Sequence, residues 1–120
     1  MSLKSLDLGN TQVQDVTPLA GLTRLESLYL YETQVSDVLP LAGLTRLRLL
    51  WLSETHGSDV TPLTGLRSLD ELYLHHTPIS DPSPLAELEN LKVLYLMRTQ
   101  VSEESVEELR AVLPRCAIKH

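Results

Sequence analysis

The chain has 120 residues, with 16 acidic and 10 basic side chains and a formal charge of −6. Hydrophobic residues make up 42% and aromatics only 4%, which excludes a disordered chain and leaves one globular domain as the expectation. No apolar run approaches the ~18 residues of a membrane helix, no basic segment leads into an apolar one as in a signal peptide, and no Lys/Arg cluster offers a surface to nucleic acid or anionic lipid. The single cysteine rules out an intrachain disulfide and a cysteine zinc cage. These features fit the cytoplasm, with a secreted effector or a piece of a longer chain left open.

Leucine breaks the average: there are 27 leucines and no phenylalanine. Leu3, Leu25, Leu47, Leu69, Leu91 and Leu113 follow one another at intervals of 22 residues. Aligning on them gives five units, 3–24, 25–46, 47–68, 69–90 and 91–112, and a closing strand within 113–120. The consensus of the units is LxxLxLxxTxVxDVxPLAGLxx. The first, fourth, sixth, seventeenth and twentieth positions hold 24 of the 27 leucines. Such self-similarity is the signature of a stacked-repeat architecture, in which no unit can bury its apolar set alone.

In chain order, Met1 and Ser2 lead straight into the first repeat. Every unit then opens on a short strand, because its leucines alternate with other residues and alternate side chains share a face. A threonine-centred turn follows at Thr11, Thr33, Thr55, Thr77 and Thr99. The return segment cannot be an α-helix interior, since Pro18, Pro40, Pro62 and Pro84 interrupt it. Asp15, Asp37, Asp59 and Asp81 stand three residues ahead of these prolines, placed to cap a short turn. The expected return is therefore 3₁₀ or irregular. In the third unit His56-Gly57 replaces an apolar turn anchor, and Pro78, Pro82 and Pro84 stiffen the fourth. The fifth return has no proline. Acidic residues in its first turn, Arg110 near its end and Pro114 beyond it are helix signals, with Val106, Leu109, Val112 and Leu113 as the apolar face. Cys116-Ala117-Ile118 is expected to close the sheet, with Cys116 in the fourth, inward column and Ile118 in the sixth.

This pattern resembles the leucine-rich repeat family, and within it the 22-residue class found in internalins and in a eukaryotic protein-phosphatase-1 regulatory subunit. The resemblance covers nearly the whole chain, with Thr where the family has Asn after LxLxx. It implies an α/β leucine-rich repeat solenoid: a parallel concave β-sheet, 3₁₀ or irregular convex turns, and here a C-terminal α-helical cap. It also implies a module that binds a protein partner on the concave face.

The outward columns carry the remaining information. The fifth reads Asp7, Tyr29, Trp51, Tyr73, Tyr95 and then Ala117. The seventh reads Gly9, Tyr31, Ser53, His75 and Met97. The eighth, Asn10, Glu32, Glu54, His76 and Arg98, changes sign along the solenoid. All five aromatics thus fall on the sheet face, where strands favour aromatic pairs in any case. Tyr, Trp and Met are also the types enriched at binding hot spots. The candidate partner-binding set is Tyr29, Tyr31, Trp51, Tyr73, Tyr95, Leu49, Glu32, Glu54, His75, His76, Met97 and Arg98. The second column, Lys4, Glu26, Arg48, Asp70 and Lys92, alternates in sign and reads as a solvated ion ladder.

No catalytic, metal or cofactor site is expected. His56, His75, His76 and Glu54 lack a regular ligand spacing, and no phosphate loop, GxSxG or HExxH occurs. Two other readings stand beside the binding module. One is self-association, including a homodimer through the first repeat, whose Leu3, Leu6, Leu8, Val13, Leu19 and Leu22 have no predicted cover. The other is the recognition part of a larger enzyme or effector.

Overall fold

A computed structural model describes residues 3–120; Met1 and Ser2, read above as the lead-in, lie outside the described residues. Six three-residue strands form one parallel sheet in sequence order: β1 (Ser5–Asp7), β2 (Ser27–Tyr29), β3 (Leu49–Trp51), β4 (Glu71–Tyr73), β5 (Val93–Tyr95) and β6 (Ala117–Lys119). The first five are in register at the repeat length, with Leu6, Leu28, Leu50, Leu72 and Leu94 aligned. The interior behind this row is leucine. Leu28, Leu50, Leu72 and Leu94, together with the first-column Leu25, Leu47 and Leu69, are completely buried.

The returns take the form that their prolines dictate. Short 3₁₀ turns span Thr17–Leu19, Leu39–Leu41, Thr61–Leu63 and Ser83–Glu87, each with proline in its first two positions, where the missing N–H costs nothing. The aspartates act as anticipated. A carboxylate oxygen of Asp15, Asp37, Asp59 and Asp81 accepts from the backbone N–H two residues on, at 2.9–3.0 Å. Hydroxyl and amide hydrogen bonds from Thr17, Thr61 and Ser83 hold the carboxyls of Asp15, Asp59 and Asp81 below their ordinary value.

Between strand and return, every turn is closed by its threonine, whose hydroxyl donates to the carbonyl three residues back, as Thr33 does to Leu30 at 2.7 Å. Thr11, Thr55, Thr77 and Thr99 repeat this bond. Beyond the turns a second ladder links the repeats: Gln34, His56 and Gln100 donate N–H groups to the carbonyls of Val13, Val35 and Ile79. The rung that the fourth repeat would supply is missing, because Pro78 has no N–H. At Gly57 the backbones close in. A side chain there would lie 2.8 Å from the Ser36 carbonyl oxygen, so the glycine that displaces the apolar anchor also permits the approach.

The two ends differ. Helix α1 (Glu103–Val112) is capped by Ser102, whose hydroxyl accepts from the Ser105 amide at 3.1 Å. Val106 and Leu109 are buried as the helix packs on the preceding 3₁₀ turn, Ser83–Glu87, and Leu113 just beyond the helix is buried too. Val112, expected on the apolar face, instead stands 58% exposed. The closing strand corrects the sequence reading more deeply. Ile118 pairs with Leu94 and Lys119 with Tyr95, so the repeat is 24 residues at this step, not 22. The α-helical return uses two residues more than a 3₁₀ return. Ala117 therefore occupies the third column and Cys116 the second, although Cys116 is buried as expected. Arg110 ties the cap down by donating to the Ile118 carbonyl at 3.0 Å, and the His120 ring meets the Val101 carbonyl at 3.0 Å. At the other end, Leu3 is 37% exposed and Leu6, Leu8, Val13, Leu19 and Leu22 are only partly buried.

Candidate functional site: the sheet face

In-register strands place equal columns side by side, so the fifth-column side chains form one row across the sheet, flanked by the third and seventh columns of the same face. The row is a stack. Trp51 and Tyr73 lie 4.3 Å apart and 15° from parallel, and Tyr73 and Tyr95 lie 4.7 Å apart at 10°. These separations match the ~4.8 Å strand spacing, so the sheet itself sets the ring spacing. Tyr29 joins at 6.0 Å and is tilted by 38°. Tyr31 stands 5.5 Å from Trp51, and its ring occupies the space where any side chain at Gly9 would go. All five rings are half-buried. Tyr73 has a ring stacked on each of its flat faces, so it presents its edge to solvent.

The polar ends of the rings are partly engaged within the chain. The Trp51 indole N–H donates to the buried Ser53 hydroxyl at 2.6 Å, and the Tyr73 hydroxyl donates to a Glu71 carboxylate oxygen at 2.8 Å. Burial, then the hydrogen bond and charge of Glu71, push the Tyr73 phenol up to about 12. Ser53 and Glu71 were not among the candidate residues. The signal was present, since each lies two positions from its aromatic partner and so shares its face.

Around the row, Leu49 on β3 is half-buried beside Trp51, and Met97 follows Tyr95. His75 meets Tyr73 and Tyr95 edge-on at 6.4 and 6.0 Å. Burial, with the neighbouring His76, lowers the His75 pKa against an opposing pull from Glu54, and its Nδ1 is buried with no hydrogen-bond partner. The His75 and His76 rings stand edge to face, 5.6 Å apart at 79°. Among the described residues no three His, Cys, Asp or Glu side chains converge as metal ligands would.

The eighth column is set apart by its backbone. Asn10, Glu32, Glu54, His76 and Arg98 all have φ between 53° and 58°, the left-handed region. The chain needs that conformation to leave the strand while the same residue's N–H still pairs with the next repeat, as Glu32 does with Ser53 at 3.0 Å. Glu32, Glu54, His76 and Arg98 are consequently exposed at the rim of the sheet face. The candidate residues thus divide into a half-buried floor and an exposed polar rim. In the second column one rung closes, Arg48 to Asp70 at 2.9 Å. No other pair of neighbours in that column comes within ion-pair distance among the described residues.

The family described as leucine-rich repeats (2 copies) matches residues 2–43. No curated protein sequence matches the chain. Among solved structures, internalin C2 of Listeria monocytogenes is 43% identical over 98% of the chain, with a TM-score of 0.92. An internalin F structure from the same species is 32% identical over 90%, with a TM-score of 0.85. A leucine-rich repeat protein of Leptospira interrogans is 26% identical over 99%, with a TM-score of 0.91. The chain spans 51% of the first of these proteins, 32% of the second and 31% of the third.

Proposed function

The chain is a leucine-rich repeat solenoid, similar over nearly its whole length to internalin repeats, and we propose that it is a protein-binding module whose partner docks on the sheet face. Leucine-rich repeat folds commonly serve as interaction modules. The observation that carries the reading is the row Tyr29, Trp51, Tyr73 and Tyr95, kept half-exposed in a chain whose core is built without aromatics. Tyr and Trp combine large contact area with few rotors, which suits a hot spot. The stacking also speaks to the kind of partner. A sugar or a nucleobase needs a free ring face, which Tyr73 at the centre of the row lacks, whereas a protein surface can pack against its edge.

The reading assigns the chain no catalytic step. Cys116 is buried, and burial raises its thiol to about 11, so it carries little thiolate at neutral pH. The test is a capture experiment comparing the wild-type chain with the Tyr29→Ala/Trp51→Ala/Tyr73→Ala/Tyr95→Ala variant, each checked for its circular dichroism spectrum. The wild type retains a protein that the folded variant loses. Equal capture by both moves the binding surface elsewhere.

A further inference from the structure

The register of the closing strand changes the electrostatics of the sheet face. With Lys119 opposite Tyr95, the fifth column runs Asp7, Tyr29, Trp51, Tyr73, Tyr95, Lys119: four aromatics bracketed by a carboxylate at one end and an ammonium at the other. The rim repeats the same polarity, with Glu32 and Glu54 toward the first repeats and Arg98 toward the last. Asp7, Glu32, Glu54, Arg98 and Lys119 are all exposed, and none forms an ion pair among the described residues. The Asp7 carboxylate accepts one internal bond, from the Gly9 amide at 2.9 Å, and keeps its second oxygen for another donor.

We propose that this face takes a polypeptide segment of matching polarity: basic where it crosses β1–β3, apolar over the ring edges, and acidic where it reaches β5–β6. The proposal rests on the sheet face being the protein-binding surface. Five strand-to-strand steps of ~4.8 Å make the track about 24 Å long, which an extended segment of about seven or eight residues spans. A segment of uniform charge meets repulsion at one end, so the arrangement selects partner and orientation as well as affinity.

The chain contains one tryptophan, Trp51, in the middle of the track, so its fluorescence reports occupancy of this site. The probes are capped eight-residue peptides without Trp or Tyr. One set has two lysines, four apolar residues and two glutamates, made in both chain directions. Others are an interleaved-charge isomer, a peptide with lysines at both ends, and a neutral peptide with serines at both ends. At low ionic strength one direction of the block-charged peptide should bind about fivefold more tightly than the interleaved isomer, the scale of exposed ion pairs acting together. The Arg98→Glu/Lys119→Glu variant should exchange this preference for the peptide with lysines at both ends. If the neutral peptide shifts Trp51 fluorescence and charge order has no effect, the polarity is refuted while the binding surface stands. If no peptide shifts it, the polarity and the surface reading fall together.

Discussion

At the scale of the residue, the costliest choice in the chain is its eighth column. Four side chains with a Cβ and no amide, Glu32, Glu54, His76 and Arg98, hold a left-handed backbone that costs roughly 1–2 kcal/mol for an ordinary L-residue. Asn10, at the same position of the first repeat, is the type that tolerates it best. Glu54→Asn should therefore raise stability by up to about 1 kcal/mol, and Glu54→Val should lower it by at least as much. Paired urea titrations check both. Tyr73 gives a second residue-level prediction. Its phenol, near 10 when unfolded, is pushed up to about 12 in the fold. The folded state thus binds this proton more tightly. The associated stability is complete below pH 10 and is lost as pH rises from 10 to 12. Ultraviolet titration should find one tyrosine ionising last, and Tyr73→Phe should remove that step.

At the scale of the element, the strands, the 3₁₀ turns and the cap were legible because proline, aspartate and leucine each act locally. Pro18, Pro40 and Pro62 bar a helix, and the aspartates cap what replaces it. The last strand departs from the 22-residue spacing for a physical reason. The 22-residue spacing holds only while each return is a 3₁₀ turn, and the switch to helix α1 adds two residues that the leucine alignment ignores. Leu113 keeps the spacing and is buried, but as the stop of the helix and not as the head of a new repeat. Helical period puts Val112 at the edge of the apolar face, whereas the packing of Val106 and Leu109 turns it to solvent. Because stacked repeats contact only their neighbours, damage to the cap should spread from its own end. Leu109→Asp should speed amide exchange in β5 and β6 before β2. Uniform acceleration would mean that the solenoid opens as one unit.

At the scale of the whole molecule, a 42 × 25 × 18 Å body is held by leucines behind one sheet, and its aromatics are displayed on the opposite face. The candidate face was legible because periodicity alone sorts inward from outward columns. Its internal chemistry was less so. The ring stack, the Ser53 and Glu71 anchors and the Lys119 terminus all depend on register between strands that one sequence does not display. The stacked rings also support the sheet, at about 0.5–1.5 kcal/mol per aromatic pair, against about 2–5 kcal/mol for an interior change such as Leu72→Ala. The central claim, that the sheet face meets the partner, is tested most directly by placing a photoreactive benzoylphenylalanine at Tyr73 and, separately, at Leu39. Leu39 is 62% exposed on the second 3₁₀ turn, away from the sheet. With a captured partner present, illumination should cross-link it from position 73 and not from position 39. Cross-linking from position 39 alone would place the partner on the turn side and contradict the account.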